Sequence, residues 1–257
     1  MNKLKSLIVL SLMLLVGGQM MGQTHGTMYL GASFPMGDFA KLDGISSTAL
    51  FGNGDQTYGA AGIGFNAGLK WDFGVGVPGL AVLLSVDGLY NGPSADMKEC
   101  YKDQKGILEN LYDDVEVTSP KYINLPFMVG LRYTYYINPD FGIFAEGAAG
   151  GNARFITNYT ERYTFNEIIT GIQINHKNTF DYSTALSFAY QAGLGIEVSK
   201  NFVVGCSFYD LGKAPVKGDQ TIKTKTFDNG PIDTKTNYLE MGTVRPLMIL
   251  ARIGFSF

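Results

Sequence analysis

The sequence predicts an all-β protein, an eight-stranded antiparallel up-and-down β-barrel that crosses a membrane, and three observations carry this reading. Eight stretches alternate bulky apolar residues with small or polar ones, and side chains in a strand point alternately to opposite faces. Short turns and long polar connections alternate between the stretches. The composition pairs 33 glycines and 13% aromatics with only 17% charged residues, below the roughly 25% of soluble domains.

The first strand, about 27–35, sets Met28, Leu30, Ala32 and Phe34 on one face. The second, about 58–73, places Ile63, Phe65, Ala67, Leu69, Trp71 and Phe73 against Gly64, Asn66, Gly68, Lys70 and Asp72. The third, about 80–90, opposes Val82, Leu84 and Val86 to Ser85 and Asp87. The fourth, about 121–136, runs Ile123, Leu125, Phe127, Val129, Leu131, Tyr133 and Tyr135 against Asn124, Gly130, Arg132 and Thr134. The fifth, about 141–155, is weaker, with Ile143, Ala145 and Ala149 opposite Glu146, Asn152 and Arg154. The sixth, about 182–198, sets Leu186, Phe188, Tyr190, Leu194, Ile196 and Val198 against Ser183, Ser187, Gln191, Gly193 and Glu197. The seventh, about 202–211, uses Phe202, Val204 and Phe208. The eighth, 247–257, has its apolar residues at odd positions and stops on Phe257.

Three connections are tight and rich in turn residues: 74–79, Asn138-Pro139-Asp140 and Ser199-Lys200-Asn201. Four are long and polar, about 37–57, 91–120, 156–181 and 212–241. Short turns at one end and long loops at the other are the pattern of an outer-membrane barrel, with both termini on the short-turn side.

A soluble ligand-binding barrel would also show one apolar face per strand. The polar face decides against it, being built of Gly, Ser, Ala and Asn that fit a narrow interior. On the apolar face, Trp71, Phe73, Tyr133, Tyr135, Phe141, Phe202, Phe255 and Phe257 all lie near the short turns or the C-terminus, as a periplasmic aromatic girdle would. The inward charges balance, Lys70, Arg132, Arg154 and Arg252 against Asp72, Asp87, Glu146 and Glu197. Lone charges in a poorly solvated interior are costly, so pairing across neighbouring strands is expected, in a filled lumen rather than a water column.

At the N-terminus Lys3 and Lys5 precede an apolar run from Leu7 to Val16 and then small and polar residues. This reads as a signal peptide over 1–22, leaving 23–257 as the barrel domain. The formal charge is −3, and without those two lysines it becomes −5. No basic footprint of a nucleic-acid binder is present, so nucleic acid is not expected as a partner.

The alternation, the segment 31–39 (Gly-Ala-Ser-Phe-Pro-Met-Gly-Asp-Phe) and the terminal Phe257 resemble the small eight-stranded outer-membrane barrels of the OmpX and OmpW type, including the porin-family outer-membrane β-barrel domain of Bacteroidetes-like bacteria. The resemblance implies residence in the outer membrane of a Gram-negative bacterium after export through the periplasm. It also implies lipid and lipopolysaccharide as surroundings, and recognition of the C-terminal strand, Phe257 above all, by the barrel assembly machinery. It fixes no activity. Members of this size are mostly structural, adhesive or envelope-maintenance proteins, and some resemble secretion-associated barrels of the PorT kind.

Motifs for chemistry are sparse, and no cofactor or metal is expected. The glycine patterns at 62–64 and 147–151 lie inside strands with no following helix, so they do not cradle phosphate. His25 and His176 are the only histidines, and no Cys or His pair has metal-ligand spacing. His176 with Asp181 or Ser183 is the sole constellation for an outer-leaflet lipid A-modifying enzyme, and it matches no motif; the expectation is no enzyme. Glu109, Asp113, Asp114 and Glu116 surround Ile107, Leu108 and Leu111 in a short helical turn, without the spacing of a calcium loop. Lys213, Lys217, Lys223, Lys225 and Lys235 in the fourth long connection could touch anionic lipopolysaccharide. Asn158-Tyr159-Thr160 fits a glycosylation acceptor, which means little in a bacterial envelope protein. Cys100 and Cys206 suggest no disulfide framework. The expected function is therefore a non-enzymatic barrel whose loops face outward, with a narrow solute channel or transporter as the alternative.

Overall fold

The computed structural model describes residues 24–41, 60–166, 172–199, 201–226 and 232–257. The segment 1–22, read from the sequence as a signal peptide, and most of the first long connection lie outside the described residues.

Eight strands close into an antiparallel barrel. They are β1 (Thr24–Met36), β2 (Ala61–Gly74), β3 (Leu80–Pro93), β5 (Tyr122–Asn138), β6 (Phe141–Ile156), β9 (Ala185–Val198), β10 (Phe202–Asp210) and β13 (Leu247–Ser256). Their order round the wall is β1-β13-β10-β9-β6-β5-β3-β2. The pairing of β1 with β13, from Thr27 opposite Ser256 to Met36 opposite Leu247, completes the circle. Closure leaves no unpaired edge in the wall, as a hydrocarbon surrounding requires. Outside the pairings, Phe257 N–H donates to Gly26 O (2.8 Å) and Gly26 N–H to Phe257 O (3.0 Å), so the last residue fastens the seam.

The alternation sorts the two faces. Met28, Leu30, Ile63, Phe65, Leu125, Phe127, Val129, Leu131, Leu186, Phe188, Leu194 and Ile253 are exposed on the outside of the barrel. Their inward neighbours Asn66, Lys70, Asp87, Met128, Arg132, Glu146, Gln191 and Arg252 are buried. A soluble protein does not leave so continuous an apolar surface bare.

The long connections depart from expectation. Three of them, read as irregular polar loops, build a second sheet beyond the barrel, a five-stranded cap of order β12-β11-β8-β7-β4. Its strands are β4 (Asp113–Thr118), β7 (Tyr159–Asn166), β8 (Gln173–Tyr182), β11 (Ala214–Thr226) and β12 (Ile232–Val244). These strands are rich in Thr, Lys and Asn, and much of their surface faces solvent, so they carry no apolar alternation to reveal them. The helical turn expected near Leu108 is the end of a four-turn helix, α1 (Ala95–Glu109). The Ser94 hydroxyl accepts from Met97 N–H (3.1 Å) as its N-cap. Met97, Tyr101, Gln104 and Leu108 recur at helical spacing and form its buried face. Tyr101 lies against Tyr159 with ring centroids 5.9 Å apart, which joins the helix to the cap.

Candidate functional site

The lumen is filled by two intermingled sets of side chains. Leu83, Leu89, Met128, Tyr209, Met248 and Leu250 are packed in one apolar cluster at 0–1% exposure, with the buried polar side chains of Ser33, Asn66, Asn91, Asn124, Asn152 and Gln191 in the same interior. The polar face read from the sequence underestimated this filling, because Met248, Leu250, Leu83 and Leu89 occupy inward positions in strands whose neighbouring inward residues are polar.

Against this cluster runs a charged belt. Glu146 on β6 sits at its centre, taking the Lys70 ammonium from β2 and the Arg252 guanidinium from β13, the latter at 3.1 Å. Arg252 also reaches the hydroxyls of Ser207 and Tyr209, the second at 3.1 Å. Asp87 on β3 accepts from Tyr29 and from Tyr209, at 2.9 Å in the second case. Toward the short-turn end, Arg132 donates Nη1 to Asp72 (2.9 Å) and Nη2 to Glu197 (3.0 Å), and its guanidinium lies 3.9 Å from the Phe144 ring centroid. The Tyr136 hydroxyl donates to Glu197 at 3.4 Å.

Two features of this belt correct the sequence reading. Pairing does not run between neighbouring strands. Arg132 stands directly opposite Glu146 in register, yet its ion pairs go to β2 and β9, and Glu146 binds cations from β2 and β13. The interior of eight strands is narrow enough for long side chains to cross it, and a crossing side chain meets its partner further from solvent than a wall neighbour would. Arg154, counted with the network, takes no part in it. It lies near the cap, 1% exposed, and donates to the carbonyls of Val244 (3.1 Å) and Gly212 (3.2 Å), so it ties the barrel to the base of the cap. Tyr29, Tyr209, Ser207 and Phe144 were missed, although strand parity placed all four inward.

Glycines make room for the crossing side chains. A Cβ on Gly68 would lie 2.6 Å from both the Asp87 carboxylate and the Tyr29 hydroxyl, and one on Gly195 would lie 2.3 Å from the Phe144 ring.

At the short-turn mouth a cavity of about 370 Å³ opens between His25, Asp72, Arg132, Thr134, Tyr136 and Glu197. Its inner end is the Arg132 ion-pair cluster. A second gap, of about 20 Å³, lies beside Lys70 and Arg252, room for a single water.

The girdle residues gather at this same end of the outer wall, where Tyr133, Tyr135, Phe202, Phe255 and Phe257 are exposed and Trp71, Phe73 and Phe141 half-buried. Three further aromatics and an isoleucine line up toward the opposite end: Phe65, Tyr90, Ile123 and Phe155 face one another in register on β2, β3, β5 and β6. From Ile123 to Tyr133 is ten residues along β5, the length of a tilted strand crossing a bilayer, about 9–11 residues.

The remaining sequence candidates lie in or beside the cap. His176 stacks on Tyr163 (centroids 4.9 Å), which stacks in turn on Tyr112 (4.4 Å), and burial lowers the pKa of its imidazole. Asp181 projects from the other face of the same strand and accepts from Asn158, while Ser183 lies beyond the strand end, so His176, Asp181 and Ser183 do not assemble. Glu109 ends α1, and Asp113, Asp114 and Glu116 lie on β4; among the described residues no group of three or more His, Cys, Asp or Glu is arranged to hold a metal. Beneath α1, Gln104 donates to the Tyr159 hydroxyl (3.1 Å), which donates to Glu161 (3.0 Å). Burial pushes both the Glu161 carboxyl and the Tyr159 phenol above their usual ranges.

No family model matches the sequence, and neither does any curated protein. Among solved structures the chain is similar to Ail, the attachment invasion locus protein of Yersinia pestis (15% identity, 93% of this chain and 100% of that one, TM-score 0.40). It is also similar to a major outer membrane protein of Thermus thermophilus (12%, 92% and 100%, TM-score 0.41) and to OprG of Pseudomonas aeruginosa (11%, 92% and 97%, TM-score 0.39). The strand order, the closed seam and the apolar outer wall stand on the chain's own pairings and burial. The chain has the fold of the small eight-stranded outer-membrane β-barrels.

Proposed function

We propose that this is a non-enzymatic outer-membrane protein in which a plugged barrel anchors a sheet platform displayed outside the cell. The observation that carries the reading is the division of the molecule: a lumen filled by ion pairs and an apolar cluster, topped by a five-stranded cap built from three of the long connections. A side-chain-filled barrel interior is suited to anchoring rather than conduction. A sheet presents side chains at fixed spacing, which suits contact with a partner. The mouth cavity ends at Arg132, which argues against the channel reading.

Two measurements test this together. An epitope inserted between β11 and β12 should be labelled on intact cells, and one in the 74–79 turn only after permeabilisation. Protein refolded into planar bilayers should give no steady current. A stable, ion-selective conductance altered by Arg132→Gln without loss of fold would make the protein a channel.

Phe257 is proposed to be read by the barrel assembly machinery. Deleting it should lower outer-membrane abundance several-fold and induce envelope stress. Phe257→Ala keeps the backbone bonds to Gly26 and separates the ring from the seam: equal loss in both variants assigns recognition to the ring, and normal abundance in both overturns the assignment.

A further inference from the structure

The register of the cap sheet aligns one face residue by residue. Lys223 on β11 stands opposite Lys177 on β8, and Lys177 opposite Arg162 on β7. Directly opposed residues share a face, so three cations form a row across three adjacent strands at about 4.8 Å per strand. Lys225 lies two residues along β11 on the same face, and all four side chains are exposed. Like charges directly opposed destabilise a sheet. None of the four forms an ion pair with any described residue. The acids of this face stand at its margins: Glu116 opposite Arg162 at the β4 end, Asp113 opposite Thr164, Asp181 opposite Asp219 four residues from the cation row, and Glu240 on β12 opposite Lys217, with which it pairs at 3.0 Å.

Beside the cation row runs a row of hydroxyls. Thr118, Thr160, Thr179, Thr221 and Thr236 face one another in register across all five strands. Thr118 is engaged with the Thr160 backbone, and the other four line the same open face. The opposite face differs, carrying the Tyr159, Glu161, Tyr163 and His176 surface on which α1 and Tyr112 pack.

We propose that this open face binds a linear polysaccharide bearing sulfate or phosphate esters, an inference that rests on the outward placement of the cap. The cations match the ester oxyanions, and the threonine row matches sugar hydroxyls. Height selects the source. Lys223 lies nine residues along β11 from Ala214, the first residue of that cap strand, about 30 Å of strand. The headgroup layer is only about 5–8 Å thick on each side. The ligand is therefore a glycan chain reaching in from outside, not a headgroup of the protein's own leaflet.

The test uses full-length mature protein in nanodiscs of neutral lipid, with fold checked by heat-modifiable gel migration, against heparin, dextran sulfate, unsubstituted dextran, inorganic polyphosphate and vesicles containing phosphatidylglycerol. The sulfated glycans should bind with strong salt dependence, and unsubstituted dextran and the vesicles should not. Lys177→Glu/Lys223→Glu should lower heparin affinity by more than tenfold and reduce the log–log salt slope by about two, as expected for two lost ionic contacts. Lys98→Glu/Lys235→Glu, with the same charge change away from this face, should bind as the wild type. Thr179→Val/Thr221→Val should weaken dextran sulfate and leave polyphosphate unchanged. The proposal is overturned if the first variant binds normally or the control variant loses as much. It is overturned equally if polyphosphate matches dextran sulfate and the threonine variant changes neither, or if vesicles bind as tightly as heparin. Because nanodisc binding does not depend on cellular orientation, failure here leaves the epitope result, and with it the platform reading, to stand or fall separately.

Discussion

Glu146→Gln is expected to destabilise the refolded barrel by about 3–5 kcal/mol, the usual consequence of removing one partner from a buried charge network. Gln keeps the volume and an acceptor oxygen, so the loss reads the charge. Without the carboxylate, Lys70 and Arg252 stay in the belt at 5% and 7% exposure, sharing only Asp87 between them. Equilibrium urea unfolding in lipid vesicles measures the effect. Lys70→Met added to Glu146→Gln removes the stranded ammonium and should recover part of the loss, a coupling that only residues in contact show. Glu240→Gln is the control: its pair with Lys217 (3.0 Å) is largely exposed, and such pairs contribute about 0–1 kcal/mol. If Glu146→Gln cost no more than Glu240→Gln, the belt would not be what holds the lumen together.

The barrel was legible in the sequence because each wall strand answers to two solvents at once. Leu125, Phe127 and Val129 must suit lipid while Asn124 and Arg132 must suit the lumen, and that conflict imprints a period of two on the chain. Boundaries followed closely: the fourth strand, read as about 121–136, is Tyr122–Asn138. The balance of inward charges was legible for the same reason, since parity alone assigns Lys70, Asp72, Asp87, Arg132, Glu146, Glu197 and Arg252 to the interior. Their partners were not. Which residue faces which across a lumen depends on tilt and stagger round the whole circle, and no local spacing encodes that.

The cap was invisible for a complementary reason. Thr221-Ile222-Lys223-Thr224-Lys225-Thr226 has polar residues on both faces, so β11 shows the composition of a loop. The cation and threonine rows come from five segments scattered between Thr118 and Thr236, and only register places them together. Lys223 and Lys225 stand out in the sequence as part of a lysine-rich connection, but no local spacing adds Lys177 and Arg162 to them. The stack of Tyr112, Tyr163 and His176 was hidden in the same way.

Arginine at the outer wall should report depth, with Val129→Arg and Phe127→Arg the most costly, about 2–4 kcal/mol. Val129 is 52% exposed on the outer face and lies six residues from Ile123 and four from Tyr133, the two ends of the ten-residue span of β5. That places it near the bilayer midplane, where a guanidinium can snorkel to neither interface. Leu186 is more exposed still, at 77%, yet it is the second residue of β9 at the cap end, so Leu186→Arg should cost about 0–1 kcal/mol. Exposure to water would order the two the other way or leave both neutral. Phe127→Arg, four residues from Ile123 and six from Tyr133, should cost about as much as Val129→Arg. Equilibrium unfolding of the three variants from vesicles decides: a loss at Phe127 and Val129 well above that at Leu186 follows from a lipid-facing wall, whereas three neutral substitutions would mean that water, not hydrocarbon, lies against this face.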